Sequence, residues 1–153
     1  MIIYLGADHR GFELKEQLKS SLESAGYEFS DLGNSQYEEN DDYNEFASRV
    51  SEVIAKDTSA KGILICGSGT GMNIVANKFR GIRACLCFSA DQAMMFRSHD
   101  DGNILCLASN FTNPEMAKKI VSVWLQTNFD NDPDHKRRLQ KISELEMKTT
   151  HYL

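Results

Sequence analysis

The chain has 153 residues, 41% hydrophobic and 25% charged, with a formal net charge of −5. That balance fits one ordinary globular domain with room for a sizeable core, here taken as residues 1–153. An acidic chain sets up no overall basic field for a phosphate backbone, which argues against nucleic acid as the main partner; its apolar runs are far too short to cross a bilayer.

In chain order, Ile2-Ile3-Tyr4-Leu5-Gly6 reads as a short buried strand, with no signal-peptide pattern before it, so a cytoplasmic location is expected. Phe12, Leu14, Leu18 and Leu22 then mark one face of a helix over 11–25, and Gly26 is placed to stop it. Residues 27–32 alternate as a second strand, and 33–42 form a polar, acidic loop. Phe46, Val50, Val53 and Ile54 mark the next helix. Gly62-Ile63-Leu64-Ile65-Cys66 is the clearest buried strand, with glycines directly after it. A short helix over 73–79 follows, then a strand over 83–88, a helix over 90–98 and a fifth strand over 103–108. Pro114 suits the first residue of a helix whose apolar stripe is Met116, Ala117, Ile120, Val121, Val123 and Trp124. Residues 134–148 make a C-terminal helix.

Strands alternating with about five helices imply an α/β fold: a three-layer α/β/α sandwich around a five-stranded parallel sheet, Rossmann-like in plan. Ligands in such sheets sit beyond the carboxyl ends of the strands. None of the four cysteines forms a C-x-x-C pair, and Cys85, Cys87 and Cys106 lie in apolar runs as reduced core residues.

Two reactive clusters fall at strand ends. Asp8-His9-Arg10-Gly11 puts a carboxylate, an imidazole and a guanidinium beside a helix start, although Asp8 has an alternative use as an ordinary helix cap. Cys66-Gly67-Ser68-Gly69-Thr70-Gly71 puts a thiol before three alternating glycines, whose amides can line an anion-binding surface. It is neither a Walker A loop nor a full G-x-G-x-x-G. A thiol facing a helix N-terminus is expected to have its pKa lowered. His99 falls at the end of the fourth helix, in a turn-like stretch from Ser98 to Asn103, and gains meaning only if the fold brings it to a ligand. His135 and His151 have weaker cases. His135-Lys136-Arg137-Arg138 opposes the dipole of the last helix, so it reads as a solvated basic face or an anion site.

Together these residues resemble the ribose-5-phosphate isomerase B family, in the same superfamily as the galactose-6-phosphate isomerase subunits. The likeness runs through Asp8-His9-x-Gly11-Phe12-x-Leu14-Lys15, Asp31-Leu32-Gly33, Asp42-Tyr43, Gly62 to Gly71, and Ala76-Asn77-Lys78-Phe79-x-Gly81-Ile82-Arg83-Ala84. The resemblance implies an aldose–ketose isomerase that interconverts ribose 5-phosphate and ribulose 5-phosphate through an enediolate. It implies Cys66 as the base, with Ser68 and the amides of Gly67, Gly69 and Gly71 on the oxyanion and sugar. Thr70 belongs to the same loop. Asp8 and His9 match groups that bind the sugar hydroxyls or phosphate, His99 matches the acid that opens the furanose ring, and Arg138 matches a phosphate ligand. A glutamate base used by some members is replaced by Met72. No metal or organic cofactor is implied. A homodimer or homotetramer with a site shared between subunits is.

The departures concern the phosphate handle. Asp100 stands where the family usually has asparagine, and Asn110 and Asp134 stand where it usually has arginine. An aspartate near a phosphate reverses the sign of the lost contribution; Arg10 and Arg137 are the candidates to compensate. Two other readings stay open: an isomerase of allose or galactose 6-phosphate, and a non-catalytic sugar-phosphate-binding module.

Overall fold

The computed structural model describes residues 1–149; His151 lies outside them. Five parallel strands, β1 (Ile2–Ala7), β2 (Glu28–Asp31), β3 (Lys61–Cys66), β4 (Ala84–Leu86) and β5 (Ile104–Ala108), form one sheet in the order β2-β1-β3-β5-β4. Six helices connect and follow them: α1 (Phe12–Ser24), α2 (Tyr43–Lys56), α3 (Thr70–Ala76), α4 (Ala90–Asp100), α5 (Pro114–Gln126) and α6 (Pro133–Thr149).

The strand alternation sorts side chains onto two faces. Ile63, Ile65, Leu105 and Leu107 pack with Leu14, Leu18 and Leu22 of α1, Phe96 of α4 and Trp124 of α5. Leu64, Cys66, Ile104 and Cys106 turn the other way, against Phe46 and Val50 of α2 and Met72 and Ala76 of α3. This is the expected three-layer sandwich. Because both faces are covered, β3 and β5 read as continuous apolar runs rather than alternating ones. Trp124, expected in the core, is fully buried, as are Cys87 and Cys106. Each large apolar side chain so buried contributes about 1.5–3 kcal/mol.

Local signals set the helix ends. Gly26 takes φ +76° just past α1, where its N–H and that of Tyr27 satisfy the last carbonyls. Asn113 caps α5 by accepting from the Met116 N–H at 2.9 Å, with Pro114 directly after it. Several boundaries differ from expectation, β4 among them, which keeps only Ala84–Leu86 of the expected 83–88. α3 starts at Thr70 rather than at residue 73, because the Asn73 N–H already bonds to the Gly69 carbonyl. It ends at Ala76, where Lys78 and Phe79 tighten to bonds three residues back. α4 continues past the expected end at residue 98 to Asp100, so His99 lies within its last turn. Asp101, at φ 47°, ends that helix and pairs with both Arg83 and Arg97.

One buried charge ties α1 to the sheet edge. Lys15 is fully buried and pairs with Asp31 at the end of β2, and its ammonium also donates to the Asn34 carbonyl at 3.0 Å. Burial pushes the Asp31 carboxyl up, but hydrogen bonds from Lys15 and Lys19 outweigh it and hold the group below its ordinary 3.8. A carboxylate with a depressed folded value stabilises the fold above its unfolded pKa and loses that contribution as pH falls through the folded one. Replacing Lys15→Met should therefore destabilise the protein by about 3 kcal/mol in urea melts at neutral pH, since it leaves the half-buried Asp31 carboxylate with only Lys19 as a cation and the Gly33 N–H as a donor. The difference between variant and wild type should shrink as pH drops below 3.8. A difference independent of pH would show that the pair does not link the two elements.

Candidate active site

The carboxyl ends of β1, β3 and β5 lie side by side in the middle of the sheet. The chain leaves β1 toward β2 on one side and returns to β3 on the other, so this is the point where strand order reverses. The loops there surround an open cavity of about 520 Å³. The β1 loop contributes Asp8, His9 and Arg10. Cys66 comes from the end of β3, Gly67 and Ser68 from the loop after it, Thr70 and Gly71 from the start of α3, and Asn110 from the β5 loop. Tyr43 and Ile74 complete the wall.

Cys66 ends β3 with its sulfur toward the start of α3, where the Gly69 N–H donates to it at 3.2 Å. Gly69 holds φ +72°, and a Cβ there would meet Leu86 at 2.4 Å, so only glycine makes this turn. Its amide is committed to the sulfur, and Gly69 does not line the cavity. Gly71 is needed for a different reason: a Cβ would lie 2.7 Å from the Tyr43 ring, which packs directly on the loop. Ser68 and Thr70 are exposed on the cavity side, and the Thr70 N–H donates to the Ser68 hydroxyl at 3.3 Å.

The expected lowering of the Cys66 pKa does not hold. Burial, at 4% exposure, pushes the thiol up, and the nearby Asp8 carboxylate adds to that. Amides of Met72, Gly69 and Ser68 pull it down without reversing the direction. The dipole is present, but desolvation of the thiolate is the larger effect.

Asp8 is buried, and its Oδ1 accepts from the Gly11 N–H at 2.9 Å. It closes the turn ahead of α1 rather than capping the helix itself, whose boundary residue is Gly11. Burial raises its pKa, and the Asp41 charge raises it further. Asp41 gave no signal in the sequence, since it stands in the acidic loop before α2. The fold brings it to His9, where Oδ1 meets Nδ1 at 2.8 Å and accepts the His9 backbone N–H at 2.9 Å. With a proton on Nδ1 toward the carboxylate, Nε2 is left as the available nitrogen. Tyr43 entered the sequence reading only through the resemblance; it forms part of the cavity wall.

His99 and Arg138 do not line this cavity within the chain. His99 stacks on His135 with ring centroids 4.4 Å apart, and Arg138 is exposed on α6, 3.9 Å from Asp134. Arg137 pairs with the same Asp134.

A desolvated thiol, a carboxylate and an oriented imidazole around one small cavity can move protons on a ligand bound among them. Such a set of groups suits an acid–base enzyme acting on a small molecule. Comparison with known proteins gives the class a family. The model of the Ribose/Galactose Isomerase family matches residues 3–142. Ribose-5-phosphate isomerase B of Escherichia coli (strain K12) is 38% identical over 146 residues, covering 95% of this chain and 97% of that protein. A solved ribose-5-phosphate isomerase B from Clostridium thermocellum superposes with a TM-score of 0.92 at 39% identity, covering 97% of this chain and 99% of the other. Another, from Mycoplasma genitalium with bound ribulose-5-phosphate, has a TM-score of 0.92 at 37% identity, covering 95% and 96%. The chain belongs to the ribose/galactose isomerase family.

The electrostatics of the thiol can be read directly. Alkylation of Cys66 by iodoacetamide, followed by mass spectrometry, should rise with pH later than alkylation of an unburied cysteine. In Asp8→Asn the rise should move to lower pH, because a negative charge that opposes ionisation is gone. An unchanged or higher midpoint in that variant would show that Asp8 does not act on the sulfur.

Proposed function

We propose that the chain interconverts ribose 5-phosphate and ribulose 5-phosphate, with Cys66 as the base. The family and the named relatives support the reaction. The observation that carries the assignment to this site is the Cys66 sulfur at the wall of a sugar-sized cavity, set on the amides of the β3 loop. The thiolate takes the proton from C2 of the open-chain aldose. The C–H electron pair becomes the C1–C2 double bond, and the carbonyl oxygen becomes an enediolate oxygen. The proton then returns to C1 while the hydroxyl proton on O2 passes to O1, so the ketose forms with no external oxidant or reductant. Ser68 and the loop amides of Gly67 and Gly71 stabilise the oxyanion, with Thr70 beside them. Asp8 and His9 hold the sugar.

His99 opens the furanose ring in the site of a second copy of the chain, and Arg138 reaches the phosphate there. Two features support this. Both residues lie away from the cavity of their own chain, and α6 has no buried residue while exposing Ile142, Leu145 and Met147. A second copy, as a homodimer or homotetramer, covers that surface and completes the site. Among the described residues, no helix is long and apolar enough to cross a membrane; we place the reaction in the cytoplasm.

The phosphate handle is altered. Asp134 occupies a position where the family pattern has arginine, and it pairs with Arg137 and Arg138. Arg10 takes over: it lines the cavity, its carbonyl is pinned by the Ser109 hydroxyl at 2.8 Å, and no carboxylate pairs with it among the described residues. The changed handle favours a second reading in which a six-carbon phosphosugar is the substrate.

A coupled assay over pentose and hexose phosphates, with the unphosphorylated sugars beside them, decides the substrate. In that assay Cys66→Ala should lower kcat by about 10²–10⁴-fold or more, while calorimetry still detects ribulose 5-phosphate binding. Near-wild-type turnover in the variant would remove Cys66 as the base, and no turnover of any sugar by the wild type would favour a binding module. Arg10→Ala should raise KM for the phosphorylated substrate by about tenfold or more, the scale of one charge-assisted contact, and leave kcat nearly unchanged. An unchanged KM would remove Arg10 from the phosphate.

A further inference from the structure

We propose that His99, Asp130 and His135 form a binding site for a divalent transition-metal ion of the zinc type, and that an ion there withdraws His99 from proton transfer. The inhibitory half rests on the role given to His99 above; the binding half does not.

The three side chains come from separate elements: the last turn of α4, the segment after α5, and the first turn of α6. Each offers one donor atom, and the three atoms lie within 4.8 Å of one another. The two imidazole rings are stacked at 30°, with centroids 4.4 Å apart, so they present their edges to a common space. Asp130 is held on both sides. Its N–H donates to the Ser98 carbonyl at 3.0 Å, fixing the segment to the end of α4, and its Oδ1 accepts the Asp132 N–H at 2.9 Å. Both of its carboxylate oxygens meet His135 Nδ1, at 3.0 and 2.9 Å. An ion drawn in among the three atoms would replace that contact with two metal bonds.

Two imidazoles and one carboxylate suit zinc, cobalt, nickel or ferrous iron, and not magnesium or calcium, which favour oxygen ligands. Both histidines are partly exposed and Asp130 is exposed, so an ion has a direct path in and water can complete its coordination. The sequence holds no metal-ligand spacing here, and no metal is expected from it; the cluster exists only where α4 and α6 meet. Such an ion is not a cofactor for the isomerisation, which transfers protons alone. It uses the imidazole lone pair that His99 needs to carry a proton, so occupancy and ring opening compete.

The test uses full-length protein dialysed against a chelator. Titration with Zn²⁺ by calorimetry, and with Co²⁺ by its visible absorption, should give one ion per chain, with no Mg²⁺ binding. The signal should vanish in His135→Ala and in Asp130→Ala, each checked for folding by circular dichroism, and persist in Cys66→Ala. Zn²⁺ should suppress turnover in the wild type and far less in Asp130→Ala. No binding by the wild type, or binding that survives both ligand substitutions, overturns the site. Binding that follows the substitutions while Zn²⁺ leaves wild-type turnover unchanged overturns the inhibitory half. If the wild type turns over no sugar at all, the isomerase reading fails while the binding data still decide the site.

Discussion

The Gly69 amide and the Cys66 sulfur, 3.2 Å apart, join the last residue of the central strand to the first turn of α3. The rest of the cavity is arranged around this contact. The sulfur has to be close enough to the α3 start to be solvated by amides when ionised. It is also nearly removed from water, and burial raises the free energy of the thiolate more than the amides lower it. The result is a group that stays protonated at rest and is a correspondingly strong base once ionised. That suits abstraction of a weakly acidic proton beside a carbonyl better than a permanently ionised, weakly basic thiolate would.

The opposite wall is held by a relay that starts inside the fold. Lys15, buried under α1, donates to the Asn34 carbonyl; the Asn34 amide donates to Asp41 at 3.1 Å; Asp41 fixes His9. One buried ammonium thereby orders the long loop between β2 and α2 and, through it, the imidazole at the cavity. The loop carries four acids, Glu38, Glu39, Asp41 and Asp42, and would otherwise repel itself. The Lys15–Asp31 pair thus contributes to the site as well as to the sheet edge.

Parts of this could be read along the chain and parts could not, for identifiable reasons. β3 and its glycines were legible because a strand covered on both faces leaves an unbroken apolar run, and a turn at positive φ demands glycine at position 69. The start of α3 was not, because Thr70 and Gly71 have the composition of a loop; only the bond from Asn73 back to Gly69 makes them helical. The direction of the Cys66 shift was misjudged since a dipole follows from element order, whereas desolvation depends on Phe46, Met72 and the other residues of that face packing over the sulfur. Asp41 carries no local pattern linking it to His9, which lies 32 positions away. Nor does His99 carry one linking it to His135, because their meeting depends on how α6 crosses α4.

The charge distribution poses a last problem, because on the proposed reading a chain of net charge −5 has to hold a dianionic phosphate near Asp8 and Asp41. Two sources of positive potential oppose those acids: the amides at the start of α3, and the guanidinium of Arg10, which is not neutralised by a carboxylate among the described residues. The pair Arg137 and Arg138 is placed differently. Asp134 already engages both, so a phosphate arriving there must displace a carboxylate before it gains anything. Exchange of one anion for another on an exposed guanidinium is nearly neutral in free energy, as for any solvent-screened pair. On the proposed reading, binding energy for the phosphate therefore concentrates on Arg10 and the loop, inside the same chain as Cys66. A second copy would then contribute mainly through His99, the imidazole that stacks on His135 beside Asp130.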